Sequence, residues 1–300
     1  VKIAVIGARG QLGRDLVLAC EVANVECVRL NRPEIDVYWR VEALQFALRD
    51  LSPDDVVVNT ANDLWAAEAE VLDMPNVRER ISKPVIGLAD ACLWRDLRLV
   101  QISSDYIFGR EPGPHSANSH PMPICKYGHA KVQAEAFARK ESYRHPMVVR
   151  LGCLYGPLKI GGTRLNFVER MARAARDGIQ IDVVDDVFMS PTYTLSAAKA
   201  IVAALLDGSS HRIFHACSRN SASYFDVAKF VFNALNSKGE VRPKKCDEPW
   251  RPRNTAMKPS YRAAIWEDEV IEYLQRFGWL ATDYAFAAGS ANRLSNPAAN

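Results

Sequence analysis

The chain has 300 residues, 24% of them charged and 48% apolar, the balance of a folded protein long enough for one large domain and a smaller lobe. A formal net charge of +3, with basic residues scattered along the chain, argues against nucleic acid as a partner. No run approaches the roughly 20 apolar residues that span a bilayer, and the chain opens directly on a strand-like run, so a cytoplasmic protein without membrane contact is expected. The seven cysteines are odd in number and none has C-x-x-C spacing, which argues for free thiols in a reducing compartment and against zinc. His211 and His215 are four apart but lie on a strand-like run, so no metal ligand is expected.

Val1 to Ile6 is an apolar, β-branched run of the kind a buried parallel strand needs. Gly7-Ala8-Arg9-Gly10-Gln11-Leu12-Gly13 follows without a gap, and Leu16, Val17 and Cys20 then fall at helical spacing. Between a strand and a helix these glycines suit a dinucleotide. Gly7 permits the tight turn, Gly10 lets backbone N–H groups approach a pyrophosphate, and Gly13 lets the helix pack on the strand. The anion would sit at the positive end of the helix dipole, with Arg9, Gln11 and Leu12 also against the cofactor.

Val25 to Leu30 reads as the second strand, ending on Asn31 and Arg32. A free ribose 2′-OH usually meets an acidic residue at this point, whereas an Arg pairs with a 2′-phosphate. NADP(H) is therefore favoured over NAD(H), with Asn31 and Arg32 at the adenosine end. Asp36, beside Val37, is placed to accept from the adenine amino group. Its alternative is a carboxylate at the N-terminus of the helix suggested by Val41, Leu44, Phe46, Ala47 and Leu48. Val56 to Asn59 is a third strand, and its exit sets Thr60, Ala61 and Asn62 against the cofactor, since ligands lie outside the carboxyl ends of such strands.

One helix is expected over Ile81–Trp94, then a strand over Leu97–Ile102 that ends on Ser103-Ser104-Asp105-Tyr106. The polar loop 110–123 is expected to act as a substrate lid. A helix from Tyr127 to about Lys140 and a strand over Val148–Leu151 follow, and the strand's exit carries Leu154 to the cofactor and Tyr155 to the substrate. Strands alternating with helices imply an α/β protein with a Rossmann-type doubly wound parallel sheet over residues 1–157. Beyond it, Phe167–Arg176, Leu195–Leu206 and Tyr224–Leu235 read as helices, and Ile181–Val184 and Arg212–Cys217 as strands. With the basic, Pro-rich stretch Val241–Pro259 they make a smaller C-terminal α/β substrate lobe, 158–284, the chain being free to cross between lobes. A flexible tail, 285–300, completes the chain.

Ser104, Tyr127 and Lys131 are the reactive constellation. Reducing a ketone needs a hydride at carbon and a proton at oxygen. A phenol serves as the donor when its proton affinity falls from the usual pKa of about 10, and a nearby ammonium does that by stabilising the phenolate. Tyr127 and Lys131 are four apart and share a helix face. Lys131 can also bind the nicotinamide ribose, and Ser104 can orient the substrate carbonyl.

These pieces resemble the extended short-chain dehydrogenase/reductase family, and within it the dTDP-4-dehydrorhamnose reductase group. The matching motifs are Gly7–Gly13, Val57-Val58-Asn59, Ser103 to Phe108, Tyr127-Gly128-x-x-Lys131, Val184-Asp185-Asp186, Ser190-Pro191-Thr192-Tyr193-Thr194 and Arg251-Pro252-Arg253-Asn254-Thr255. They run in family order from residue 1 to about 280. The resemblance implies NAD(P)H-dependent reduction of a nucleotide-linked 4-keto-6-deoxy sugar, with Ser104, Tyr127 and Lys131 catalytic. It also implies substrate contacts from Ser104, Asp105, Tyr106, Arg251 and Asn254; an Arg fork suits a diphosphate.

There are departures. Asn59-Thr60-Ala61-Asn62 replaces the family's Asn-Ala-Ala-Ala, Ala67 stands where an Asp is usual (with Glu70 nearby), and Ile81 where an Asn is usual. An altered sugar pocket is the implication. A nucleotide-sugar epimerase or dehydratase, which retains NAD, is the enzymatic alternative. A non-catalytic NADP-binding subunit resembling the regulatory subunit of methionine adenosyltransferase is the other. A homodimer is allowed for.

Overall fold

The computed structural model describes residues 1–140, 145–208 and 211–282, so the expected tail lies outside the described residues. β1 (Ile3–Ile6) is buried along its whole length, and the glycine turn leads into α1 (Gln11–Val22). β2 (Cys27–Leu30), α2 (Val41–Ala47) and β3 (Val56–Asn59) follow. Two short helices, α3 (Ala66–Val71) and α4 (Met74–Ile81), precede α5 (Lys83–Trp94), so Ile81 ends one helix rather than beginning the next. Pro84 explains the break: it has no N–H with which to continue a ladder from α4, and the chain restarts at Ser82. β4 (Arg98–Ser104) ends in a 3-10 turn (Asp105–Ile107), followed by the loop 110–123, α6 (Lys126–Ala138) and β5 (Met147–Leu151).

The second half contributes β6 (Cys153–Tyr155), α7 (Phe167–Arg176), β7 (Ile181–Val184), β8 (Phe188–Met189), β9 (Pro191–Tyr193) and α8 (Thr194–Leu206). β10 (Ile213–His215), β11 (Ala222–Ser223), α9 (Tyr224–Ala234), β12 (Val241–Lys244) and α10 (Trp266–Arg276) complete it. Among the described residues no helix is long and apolar enough to cross a membrane.

Six parallel strands form the main sheet in the order β2-β1-β3-β4-β5-β10. The order reverses between β1 and β3, which opens a crevice at their carboxyl ends. Ile6 pairs with Leu30 on one side and Asn59 on the other, and Asn59 pairs with Gln101. β4 continues three residues past that register to Ser104, or about 10 Å at strand rise, and so carries its exit over the crevice.

One correction concerns the lobes. Arg212–Cys217, expected in the smaller lobe, supplies β10 at the edge of the main sheet, and α8 packs on α1 against the same core. The chain thus returns to the large domain before leaving again. What remains of the smaller lobe is α7, α9 and α10 around their own core, with the parallel pair β7–β12 at its side. Arg276 of α10 donates to buried Asp15 of α1 at 2.8 Å, and Thr194 donates to the other oxygen at 2.5 Å, tying the lobes at α1.

Glu269 of α10 is only 2% exposed, and burial pushes its carboxyl from 4.5 up to about 8, with Ser196 pulling the other way. The folded state therefore holds this proton more tightly than the unfolded chain. Its contribution is fully present below the unfolded pKa and is lost as pH rises through the folded one. Thermal melts should show stability falling between those limits by on the order of 3–5 kcal/mol. Glu269→Gln should flatten that slope; a variant with the same slope as wild type would show that another group titrates.

Candidate active site

Gly7 has a φ of +82°, and a Cβ there would lie 2.7 Å from Thr60 Oγ1. The turn closes with Gly10 N donating to Gly7 O at 2.8 Å. α1 then starts without a side-chain cap and without an acidic residue in its first turn, so its leading N–H groups face the crevice uncommitted to a carboxylate. Gln11 is half-buried there, while the Leu12 side chain lies in the core and only its backbone can serve a ligand.

Arg9 N donates to Asn31 Oδ1 at 2.9 Å, so Asn31 braces the turn from the end of β2. Thr60 Oγ1 donates to Ile6 O at 2.7 Å, Asn59 Oδ1 accepts from Ala61 N, and Asn62 donates to Leu64 O. Val37 packs against the core beneath β1, and Leu154 packs on the opposite face of the sheet. Arg32 is exposed and its Nε lies 2.8 Å from Asp36 Oδ2, while Asp36 Oδ1 accepts from Tyr38 N. At the end of β4, buried Ser103 has a hydroxyl with no hydrogen-bond partner among the described residues. A cradle that a Cβ would fill, an open helix N-terminus and this orphaned hydroxyl together fit a dinucleotide.

Ser104 caps the 3-10 turn, accepting from Tyr106 N at 3.2 Å, and its own hydroxyl donates to Asp105 Oδ1 at 3.1 Å. Its hydroxyl also acts on the Tyr127 phenol, favouring the ionised form. Tyr127 arrives on the first turn of α6, which is held by Glu70: its carboxylate accepts from Lys126 N at 2.7 Å and Tyr127 N at 3.4 Å. Gly128 lets that helix press on the 3-10 turn, since a Cβ there would lie 2.1 Å from Tyr106 O. Lys131 Nζ sits 5.4 Å from the centre of the Tyr127 ring, and the Tyr106 ring meets Tyr127 edge-on at 6.1 Å. Ser104, Tyr127 and Lys131 are brought together.

Burial sets the proton affinities here. It pushes the Tyr127 phenol above its ordinary value, Asp105 adds to that, and the Ser104 hydrogen bond pulls the other way. Burial and Asp105 thus act on this phenol against the fall towards neutrality expected from the ammonium. Burial lowers Lys131 to about 8, against Glu135, which raises it. Asp105 is pushed up to about 6 by burial, although Thr255 Oγ1 donates to its Oδ2 at 2.6 Å.

On the smaller lobe a cavity of about 360 Å³ is lined by Phe167, Arg170, Tyr224, Lys244, Glu248 and Arg251. Arg251 stacks over the Tyr224 ring at 4.7 Å and pairs with Glu248 at 3.2 Å, and its buried Nε has no partner among the described residues. One expected substrate contact is corrected. Tyr155 is 1% exposed and stacked on Tyr193 at 5.5 Å, because the core of the smaller lobe closes over the exit of β6. Asn254 is half-buried, and its side-chain carbonyl accepts from Ala256 N at 3.1 Å.

The model of a protein family described as the RmlD substrate binding domain matches residues 1–276. The chain belongs to that family. Among its relatives, the dTDP-4-keto-6-deoxy-D-glucose reductase of Streptomyces niveus is 33% identical over 264 residues, covering 84% of this chain and 87% of that one. A dTDP-4-dehydrorhamnose reductase structure from Clostridium acetobutylicum superimposes with a TM-score of 0.80 at 26% identity, over 93% of this chain and all of that one, 100%. Another from Bacillus anthracis, in complex with NADP, has a TM-score of 0.81 at 24% identity, over 92% of this chain and 98% of that one. The fold is that of Rossmann-type reductases of the extended short-chain dehydrogenase/reductase kind.

Within this RmlD-type site, sequence reasoning missed Tyr224 and Glu248 beside Arg251, and Thr255 on Asp105. It noted Glu70 without its role at the head of α6. Ile81, where the family has an Asn, is 5% exposed and packs in the cluster that holds Tyr127. Ala67, another departure, is exposed on α3.

Proposed function

We propose that the protein is an NADPH-dependent ketoreductase acting on a nucleotide-activated 4-keto-6-deoxy sugar of the dTDP type, with Tyr127 as proton donor. The observation that carries this reading is the approach of Lys131 to the Tyr127 ring, with Ser104 at the end of β4 in the sheet whose first strand leads into the glycine turn. Family membership and the relatives' reductase names agree with it. NADPH, when bound, supplies a hydride from nicotinamide C4. Gly7, Gly10 and Gly13 let the backbone approach the pyrophosphate, and Thr60, Ala61 and Asn62 line the crevice beside them. Ser104 orients the carbonyl and Tyr127 gives its proton to the oxygen. A phenol held above its ordinary value is fully protonated at neutral pH, as a proton donor must be, and an alkoxide is basic enough to take the proton. Arg251, Tyr224 and the 360 Å³ cavity suit the nucleotide diphosphate.

NADPH oxidation across a panel of dTDP-linked keto sugars tests the reading. Turnover with none, together with NAD retained through purification, would favour the epimerase alternative.

The choice of NADPH over NADH rests on Arg32. Its pair with Asp36 is exposed, with side chains 63% and 23% accessible, and such pairs contribute at most about 1 kcal/mol. A ribose 2′-phosphate carries more charge than one carboxylate and should capture the guanidinium. Arg32→Ala should raise KM for NADPH about tenfold, the scale of one charged hydrogen bond, and leave KM for NADH unchanged. Equal losses with both cofactors would remove Arg32 from the specificity argument.

A further inference from the structure

Behind Lys131 lies a buried ion pair that the scheme above does not use. Glu135 is one turn further along α6, on the face that carries Tyr127 and Lys131, and is 1% exposed. Arg150 of β5 is wholly buried and grips both oxygens of that carboxylate, Nε at 3.0 Å and Nη2 at 2.8 Å. The remaining guanidinium nitrogen, Nη1, reaches Ala117 O and His215 Nε2, each at 3.4 Å, and His215 Nδ1 lies 3.2 Å from Lys258 O. The guanidinium is thus fixed on every side. Its strand neighbours Val148, Val149 and Leu151 are apolar, and a buried pair in such a setting is no more stabilising than apolar side chains of the same size. Packing alone does not account for it.

We propose that Glu135, clamped by Arg150, is a positioning residue that keeps Lys131 a cation in its desolvated site. The clamp gives the arrangement its particular value. A free carboxylate one turn away would fold onto the ammonium and take its hydrogen bonds. Held by two bonds to Arg150, Glu135 lends its field to Lys131 and leaves the ammonium's donors for the ribose and for Tyr127. The two shifts on Lys131, down from burial and up from Glu135, agree with this division. Other charged or titratable groups stand on the elements packed against α6: Asp105 and Tyr106 on the 3-10 turn, Glu68 and Glu70 on α3, Arg78, Glu79 and Arg80 on α4, Lys83, Asp90 and Cys92 on α5, and Arg98 on β4. Behind Arg150 stand His215 and, across Phe108, His115. None of these changes in the variants below. The inference rests on the ketoreductase reading for why the charge matters, but not for whether Glu135 controls it.

The test is a titration of the protein itself. With lysine labelled by ¹³C at Cε, the Lys131 resonance is assigned by its loss in Lys131→Arg and followed by NMR through the neutral and alkaline range. E135Q/R150M removes both charges and keeps the packing; its Lys131 midpoint should fall by about one pH unit. E135Q alone leaves the Arg150 cation without its partner and should lower the midpoint further. R150M alone releases the carboxylate onto Lys131 and should raise it. The single variants break a buried pair and are the ones at risk of not folding, but any one folded variant set against wild type gives the sign. A midpoint equal to wild type in a folded variant, or a shift of opposite sign, overturns the proposal. A protein that reduces no keto sugar leaves the titration result standing, so the two readings fail separately. If both hold, the alkaline limb of the reductase pH profile moves with the NMR midpoint.

Discussion

Tyr127→Phe should lose turnover by about 10²–10⁴-fold, the range for removing a positioned general acid, and bind NADPH as wild type does. The substitution deletes one oxygen and little else. The ring is 9% exposed and packed among Leu64, Ile81 and Ala130, with Tyr106 against its edge, and all of these contacts survive in Phe. Ser104 keeps its bond to Asp105, so the hydroxyl proposed to orient the carbonyl stays in place. Lys131 keeps its position over the ring. What is lost is the phenol proton that the proposed mechanism delivers to the carbonyl oxygen. Steady-state rates with the best keto-sugar substrate, paired with fluorescence titration of NADPH, separate the two quantities. A variant with near-normal kcat would remove Tyr127 from the chemistry; one that no longer binds NADPH would make it structural.

The same geometry gives the wild-type profile a direction. The phenol is held above its ordinary value, so its own ionisation does not limit reduction near neutrality. Lys131, lowered to about 8, is the group whose loss of charge comes first as pH rises. Reduction should therefore weaken on the alkaline side.

What could be read from the chain alone was whatever is local in sequence. The helix Phe167–Arg176 and the strand Ile181–Val184 were expected with the bounds they have, because each is a periodic run ended by its own turn. The glycine turn was legible for the same reason: its three glycines, the strand before it and the helix after it are contiguous. The contacts that were missed act across long separations. Thr255 reaches Asp105 from 150 positions away and Lys126 N reaches Glu70 from 56, and no periodicity encodes either contact. α10 had no counterpart among the expected elements, although three acidic residues in its first turn and Arg276 in its last are a readable helix signature. Tyr155 went astray for a third reason. A strand exit near the crevice normally faces the ligand, but here Tyr193 and Tyr273 of the smaller lobe enclose the ring. Which face of an exit looks outward is decided by the lobe that covers it, and the lobe is not local.

Gly13→Ala should cost more in cofactor affinity than any other single methyl added to the turn. Its Cβ would lie 2.2 Å from Gly7 O and 2.8 Å from Ala8 Cα, both backbone atoms that cannot swing aside as a side chain can. Gly7 O is itself fixed, because it accepts from Gly10 N at 2.8 Å and closes the turn. Relief must come from α1 moving off the strand by an ångström or more, and α1 is packed on α8 and held to the second lobe through Asp15. The leading N–H groups move with it, out of line with the pyrophosphate. Overpacking of this kind costs about 1–3 kcal/mol and sometimes more, so an affinity loss of about 100-fold for NADPH, with a lowered melting temperature, is expected. Gly10→Ala meets the same oxygen at 3.0 Å, where a shift of a few tenths of an ångström suffices, and should lose less. Gly178→Ala separates general strain from the cradle: its φ is +66° with nothing within 4 Å of the new Cβ, so it should lower stability by about 1 kcal/mol and leave NADPH binding alone. Were Gly13→Ala to bind NADPH as tightly as Gly178→Ala does, the cradle would not be where the dinucleotide sits, and the crevice beside Ser104 would need another ligand.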